Sequence, residues 1–131
     1  MLKHTLQIEK DYSSNTYNQL QKCGIKFVSN CGFHTHNGFR AGISVPFPIF
    51  NIFERKEIDL IEIPFEIMDL AISKVYNNMN DAWHEIEEII KYTKLYNCTL
   101  VTNWHIIVYF SMRNIWESFK LLDKTFKFAM D

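Results

Sequence analysis

The sequence predicts an α/β fold within one domain, and three observations support this prediction. A chain of 131 residues has the length of one domain and can bury a core of its own. Hydrophobic residues make up 47% of it, which excludes wholesale disorder. Segments with helical and strand periodicity follow one another in the order helix, strand, strand, helix, strand, helix, which is typical of parallel α/β pairing.

The first elements are a short helix and a short strand, followed by a loop. Residues Ser13–Cys23 can form the helix, since a serine can cap its start and Gly24 follows where a left-handed residue ends many helices. Ile25–Val28 is a short run of strand-forming residues. Residues 29–42 hold three of the four glycines and are predicted to form a loop, which is the type of segment that often carries function.

The strongest strand signal lies over Ile58–Asp69. Isoleucine and phenylalanine alternate there with Glu62, Pro64 and Glu66, so one face is predicted to be apolar and the other polar. Pro64 removes a donor from the strand ladder and therefore indicates an edge position or a bulge.

Two amphipathic helices flank a second strand. Asn80–Tyr96 is the clearer helix, with Asn80 or Asp81 as its cap, and Cys98–Trp104 follows it as a buried strand. A last helix is predicted over residues 114–130. The core-facing residues are expected to be Trp83, Ile86, Ile89, Ile90 and Thr93 in the first helix, and Ile115, Trp116, Phe119, Leu122 and Phe126 in the last.

Asp69 and His105 form the first candidate site. Asp69 ends one buried strand and His105 follows the next, and the carboxyl ends of parallel strands meet where ligands and catalytic groups collect. A carboxylate facing an imidazole fixes its tautomer and makes it a competent general acid. The alternative is that the two residues only close their strands by bonding to the backbone. Trp104, beside His105, can line a pocket or can belong to the core.

The loop over residues 29–42 holds three further candidates. His34 and His36 have the HxH spacing of some zinc sites, but no third ligand lies near them in the sequence, and a polar loop is the simpler interpretation. Arg40 lies between glycines and can reach into a cleft to hold a carboxylate, or it is an exposed loop residue. Outside the loop, the acidic stretch from Glu85 to Glu88 is interpreted as a solvated helix face.

Charge and composition exclude two classes of partner. Fourteen Lys and Arg stand against fifteen Asp and Glu, so there is no basic excess for binding nucleic acid. No apolar run has the length of a membrane span or a signal peptide. The three cysteines show no CxxC pattern, which indicates free thiols in a reducing compartment. A cytoplasmic protein is therefore expected. Aromatic residues make up 15% of the chain, which suits a large core, a sugar-binding surface or a face for a partner.

Four segments carry a resemblance to a known family. They are CGIKFVSNCGF at 23–33, GFRAGISVPF at 38–47, IDLIEIPFEIMD at 58–69 and TLVTNWH at 99–105. In their order and spacing they resemble the polysaccharide deacetylase-like family (NodB-homology domain, carbohydrate esterase family 4). The resemblance covers about residues 4–110.

The resemblance implies a distorted (β/α) barrel and metal-assisted removal of acetyl groups from a glycan. His105 resembles the histidine that protonates the leaving amine. Asp69 resembles the aspartate that adjusts the acidity of this histidine, and Arg40 resembles the arginine that orients the catalytic base. Trp104 would line the acetyl pocket. In the complete family domain, an Asp-Asp pair supplies the base and one zinc ligand, and a His-x-x-x-His pair supplies the other two.

This chain has neither an Asp-Asp pair nor a His-x-x-x-His pair, and a closed barrel of this type needs about 250 residues. Residues 1–131 are therefore expected to be one partial domain, the C-terminal half of the barrel, with an incomplete parallel sheet and flanking helices. The chain should bind no zinc by itself and should be inactive or nearly so, because catalysis also needs the metal half. Its partner is expected to be an N-terminal half-domain polypeptide or a second copy. That partner would cover an open inner face formed by residues such as Ile61, Ile63, Phe65, Leu100 and Trp104.

Two other functions stay open at the level of the sequence. One is a non-catalytic glycan- or protein-binding α/β module that uses its aromatic residues and the loop over residues 31–47. The other is an unrelated α/β enzyme that uses His34 and His36.

Overall fold

A computed structural model describes residues 14–76, 78–105 and 115–131. The predicted α/β class is confirmed, because these ranges form four helices and two small sheets. In these ranges, every helix falls short of the combined length and apolarity that a membrane crossing requires. The elements in chain order are α1 (Ser14–Lys22), β1 (Phe27–Val28), β2 (Phe47–Asn51), β3 (Lys56–Glu62), β4 (Ile67–Met68), α2 (Asp69–Val75), α3 (Met79–Leu95), β5 (Thr102–Asn103) and α4 (Ile115–Met130).

The first sheet has the strand order β1-β3-β2 and contains both strand directions. β1 runs parallel to β3, with Phe27 opposite Ile61. β2 is not among the predicted strands. It forms an antiparallel hairpin with β3, so this sheet is mixed and the prediction of a parallel sheet is wrong here. The reason is local, because the side-chain oxygen of Asn51 accepts the N–H groups of Phe53 and Glu54 at 3.0 Å. This turn reverses the chain directly after β2.

The segment predicted as one strand, Ile58–Asp69, contains two strands that belong to different sheets. β3 ends at Glu62, and β4 pairs in parallel with β5 in the second sheet. Pro64, which has no N–H, lies in the connection. The connection still bonds to both sides: Ile63 donates to a carbonyl of β1 at 2.8 Å, and Glu66 donates to the segment before β5 at 3.1 Å. The segment therefore ties the two sheets together.

The strand predicted over Cys98–Trp104 is shorter in the structure, where β5 covers two residues of this range. Ahead of β5, the N–H of Val101 donates to the Glu66 carboxylate at 2.8 Å. The N–H of Thr99 donates to the Ser44 carbonyl at 2.7 Å. Side-chain and loop acceptors thus take bonds that a longer strand would have made.

The helix α3 confirms its prediction to within one residue at each end. Its cap is Asn78, whose side chain accepts the N–H groups of Asn80 and Asp81 at 3.0 Å, so the prediction of a cap at either of those residues is wrong. Both N–H groups belong to the first turn, which has no carbonyl partner for them inside the helix. The core-facing residues predicted for this helix are all buried or half-buried.

The helix α4 packs on α3 through a different face from the predicted one. Phe119 and Phe126 are 47% and 50% exposed, whereas Leu121 and Thr125 are 5% and 0% exposed. Thr125 can be buried because its hydroxyl donates to the Leu121 carbonyl at 2.7 Å. Apolar residues lie on more than one face of this helix, so its periodicity does not decide which face meets α3. The other predicted residues are Leu122, which is half-buried, and Ile115 and Trp116, whose side chains lie outside the described ones.

Buried apolar side chains collect around both sheets. The largest cluster joins β4, α2, α3 and α4, and a second lies between α1 and the first sheet. Phe65 is buried, so the prediction that it lies on an open face is wrong; the segment that holds it lies between the two sheets. Leu100 and Trp104 pack against the largest cluster. The strongly exposed apolar residues of the first sheet include Phe50, Ile52 and Phe53 at its hairpin and Phe27 on β1.

Candidate functional site

Asp69 and His105 meet at the carboxyl ends of the parallel strands β4 and β5. Asp69 directly follows β4 as the first residue of α2, and His105 lies two residues after β5. Nδ1 of the His105 ring and Oδ1 of Asp69 are 2.6 Å apart. The predicted meeting of these two side chains is therefore confirmed. The direction and end points of the strands place the pair, although both strands are shorter than predicted.

The backbone holds the Asp69 carboxylate in one orientation. Its Oδ2 accepts the N–H of His105 at 2.6 Å, and its Oδ1 accepts the N–H of Leu70 at 2.7 Å. Asp69 is 3% exposed. Because charge-assisted bonds to backbone donors are strong and directional, the carboxylate is fixed before any other molecule arrives. The imidazole therefore bonds to a rigid partner.

This geometry fixes the tautomer of His105. Because an ionised carboxylate can only accept, Nδ1 carries the hydrogen of the bond between them. Nε2 is then the ring nitrogen that has no hydrogen in the neutral imidazole and can accept a proton. The His105 side chain is 26% exposed, so the imidazole is accessible from outside the protein. A histidine oriented in this way can act as a general acid or a general base.

Trp104 precedes His105 and lies half-buried against the largest core cluster. Its indole Nε1 is buried and has no hydrogen-bond acceptor among the described residues. Buried indole N–H groups usually have a partner, so this one is unusual. The packing agrees with the interpretation of Trp104 as a core residue, and its role in lining an acetyl pocket stays a prediction.

Arg40 lies in a second group of polar side chains, together with Cys31 and Glu62. All three line one cavity. Nη1 of Arg40 donates to the carbonyl oxygen of Gly32 at 2.9 Å. These contacts describe the surroundings of Arg40, and its role in orienting a catalytic base stays a prediction.

Glu62 and Glu66 are buried carboxylates that the sequence pattern put on a polar face. They are only 1% and 2% exposed, so that interpretation is wrong. Oε1 of Glu62 accepts the N–H groups of Asn30 and Cys31 at 2.7 and 2.8 Å, and Oε2 of Glu66 accepts the N–H of Val101 at 2.8 Å. Burial raises the pKa of both carboxyl groups above the ordinary value of 4.5. The proline between them marks where the strand is interrupted, but it does not indicate that other segments cover the two carboxylates.

Asn37 fastens the loop over residues 29–42 to the elements beside the Asp69–His105 pair. Its Oδ1 accepts the N–H of Met68 at 2.8 Å, and its Nδ2 donates to Glu85 at 2.6 Å. Asn37 itself is buried. The interpretation of Glu85 as part of a solvated helix face is therefore wrong, because Glu85 is half-buried and bonded to the loop.

His34 and His36 lie exposed on the same loop. Nε2 of His34 is 3.2 Å from Nζ of Lys74, and the ring centroid of His36 is 3.9 Å from that of Phe33. A lysine ammonium at this distance disfavours a metal cation on His34. Over the described ranges, no three His, Cys, Asp or Glu side chains are grouped so that they could hold a metal ion.

Two groups of titratable side chains therefore emerge from the geometry. One is the Asp69–His105 pair, which the sequence predicts, and the other is the group of Glu62, Arg40 and Cys31, which it does not. Comparisons of the chain with protein-family models, with curated proteins and with solved structures found no match.

Proposed function

We propose that this chain is a polysaccharide deacetylase-like segment that carries the acid half of a deacetylase site. In this proposal Asp69 orients His105, and His105 protonates the leaving group when an acetyl group is removed from a glycan. The observation that carries the proposal is the 2.6 Å bond between His105 Nδ1 and Asp69 Oδ1. The resemblance of the segments at 58–69 and 99–105 implies this same contact between these two residues.

The proposed architecture is the C-terminal half of a distorted (β/α) barrel. Two parallel strand pairs, β1 with β3 and β4 with β5, support it, since a (β/α) barrel is built from parallel strands. The segment after β3 forms hydrogen bonds to both strand pairs, as expected if the pairs are neighbours in one barrel. The hairpin of β2 and β3 is a local departure from that architecture.

The described residues do not fit a zinc site. They contain no group of three potential ligands, and His34 faces the ammonium of Lys74. We therefore assign no metal-dependent step to this chain. The half of the reaction that activates water belongs, in this proposal, to a separate N-terminal half-domain polypeptide, and the chain alone releases no acetate.

The test measures acetate released from an N-acetylglucosamine oligosaccharide. The chain is assayed alone and after mixing with a polypeptide that carries the N-terminal half of the family domain, with its Asp-Asp and His-x-x-x-His motifs. We expect no activity from the chain alone and measurable activity from the mixture. In the mixture, Asp69→Asn and His105→Gln should each lower the rate about a hundredfold, which is the lower range for losing a general acid.

A matched control is Glu57→Gln, which changes an exposed carboxylate on β3 and should leave the activity of the mixture unchanged. Acetate release by the chain alone would contradict the division of the site between two polypeptides. A mixture that shows no activity, or whose activity survives both substitutions, would contradict the role given to His105.

A glycan-binding module is the second candidate, and an exposed aromatic pair favours it. The rings of Tyr92 and Tyr96 lie within 3° of parallel, with centroids 6.5 Å apart. Together with Phe39 they line a cavity of about 430 Å³. Aromatic faces of this kind suit the apolar faces of sugar rings. If this candidate is right, the same oligosaccharide binds the chain alone, and Tyr92→Ala removes binding while His105→Gln does not.

A further inference from the structure

A cavity of about 460 Å³ lies where α1, the loop over residues 29–42 and the β2–β3 hairpin meet. Its walls are mostly apolar and include Phe47, Ile49 and Ile58, while Phe50 and Ile52 are exposed at its edge. Small-molecule sites typically have volumes of about 300–1,000 Å³, apolar walls and a few converging polar groups. The cavity meets the first two criteria, and Glu62 and Arg40 supply the third.

Glu62 brings a buried acceptor to this cavity. The residue is 1% exposed, and its Oε1 accepts two backbone N–H groups from the loop, at 2.7 and 2.8 Å. Its Oε2 is buried and has no hydrogen-bond partner among the described residues. The carboxylate cannot turn without losing both loop bonds. Oε2 itself has almost no accessible surface, so a ligand donor reaches it only after a small shift of the cavity wall. Because a buried oxygen without a donor is destabilising, such a bond would be favourable.

Arg40 brings donors to the same cavity. One guanidinium N–H is used on the carbonyl of Gly32, at 2.9 Å, and a guanidinium has five in all, so others can serve a ligand. Burial has the largest effect on the pKa of Glu62 and raises it. The positive charge of Arg40 is close enough to lower this pKa, but by a smaller amount. The polar end of the cavity thus combines one positive and one negative group. A ligand with a net charge would leave a charge unpaired against apolar walls.

We infer that this cavity binds a neutral ligand in which an aromatic or aliphatic body carries a primary carboxamide. The ligand N–H donates to Oε2 of Glu62, the ligand carbonyl accepts from Arg40, and the body packs on the apolar walls. A carboxylate would be repelled by Glu62, and an ester has no donor for it. This site is separate from the Asp69–His105 pair and stands whether or not the chain is a deacetylase segment.

The probe is 3-phenylpropanamide, titrated into the wild-type chain and followed by the NMR shifts of backbone amides. We expect saturable binding with a Kd on the order of 1 mM, which is typical of a ligand this small. The largest shifts should be at Cys31, Glu62 and Phe47. Two compounds with the same body serve as comparisons: 3-phenylpropanoate, which is charged, and its methyl ester, which has no donor. Each should bind at least tenfold more weakly.

Glu62→Gln should reverse this preference. The glutamine carbonyl keeps the bonds to the loop, so its NH₂ group replaces the unpartnered oxygen and offers a donor to the ligand. Affinity for the amide should fall about tenfold, and affinity for 3-phenylpropanoate should rise by a similar factor. An unfolded variant would bind neither compound. An increased affinity for 3-phenylpropanoate therefore shows that the specificity has changed and that the variant is folded. Glu57→Gln, on the exposed part of β3, is the matched control and should keep the wild-type preference.

A second measurement uses the wild-type chain alone, so that it does not depend on the variant folding. Cys31 lines the cavity and Cys23 is exposed elsewhere. The amide should slow alkylation of Cys31 by N-ethylmaleimide, read by peptide mass spectrometry, without slowing that of Cys23. Equal binding of the three compounds, shifts confined to other parts of the chain, or unchanged alkylation of Cys31 would each overturn the inference.

Discussion

Replacing Asp69 with asparagine tests whether the site needs both carboxylate oxygens. In the structure, Oδ2 accepts the backbone N–H of His105, and Oδ1 accepts both the N–H of Leu70 and the His105 ring. Asparagine has one acceptor oxygen and one NH₂ group. In either orientation the NH₂ group faces a backbone N–H, so one buried donor loses its acceptor.

The size of the effect follows from this geometry. A buried donor left without a partner costs about 1–3 kcal/mol, which is the loss expected for Asp69→Asn. Bonds to a charged acceptor contribute about 1.5–3 kcal/mol each, so Asp69→Ala, which removes all three, should lose on the order of 5 kcal/mol. A domain has about 5–15 kcal/mol of net stability. The asparagine variant should therefore fold, whereas the alanine variant should be close to unfolding.

The assay combines urea unfolding, followed by tryptophan fluorescence, with ¹⁵N NMR of the imidazole. In the wild type, Nδ1 of His105 should carry the proton of the neutral ring. In Asp69→Asn this preference should weaken, because a neutral amide oxygen accepts the Nδ1–H less strongly than a carboxylate does. The matched control is Asp59→Asn on β3, which removes an exposed ion pair with Lys26 and should change the free energy of unfolding by less than about 0.5 kcal/mol. An asparagine variant with wild-type stability and an unchanged tautomer would refute the reasoning.

Three further substitutions test the surroundings of the site. Gly32→Ala would place a methyl group 2.1 Å from the buried Phe65 ring, so urea unfolding should show a loss of about 1–3 kcal/mol that Phe65→Leu partly restores; no recovery in the double variant would contradict the contact. Glu66→Gln keeps an acceptor for the N–H of Val101 but removes a carboxyl group whose pKa burial raises above 4.5. Above pH 4.5 the folded wild-type chain holds a proton on Glu66 that the unfolded chain releases, so the stability contributed by Glu66 falls as pH rises through the folded pKa. The free energy of unfolding of the glutamine variant should therefore rise relative to that of the wild type over this pH range. A difference in unfolding free energy that stays constant with pH would contradict this. Asn78→Ala removes the acceptor for two N–H groups of α3 and should lower stability by about 1 kcal/mol in a thermal melt followed by circular dichroism, and an unchanged melt would contradict its capping role.

The Asp69–His105 pair could be predicted because its position depends on local information. The apolar run before each residue predicts a strand, and parallel strands bring their carboxyl ends to the same edge. The strands proved shorter, but their direction and end points were right. The long helix α3 could be predicted for a similar reason, since one face of it alone is strongly apolar.

The burial of Glu62 and Glu66 could not be predicted because it depends on contacts distant in the sequence. Alternation identifies two faces of a segment, but it does not show whether a second neighbour covers the polar one. Here the loop at Asn30 and the segment at Val101 cover these carboxylates and supply donors to them. The face that α4 packs against α3 is a second case, since apolar residues lie on several of its sides and the partner helix selects among them.

The hairpin of β2 and β3 also has a consequence for how the chain folds. Its two strands are neighbours in the sequence. By contrast, β1 pairs with β3 through Phe27 and Ile61, and β4 pairs with β5 through Ile67 and Thr102, and long segments separate the partners in each of these pairs. Closing long loops is entropically costly and slow, so we expect the hairpin to form early and β3 then to serve as a template for β1. The pairing of β4 with β5 brings the carboxylate to the imidazole, and we expect it among the late steps. A partly folded chain would then contain the hairpin but no assembled acid–base pair.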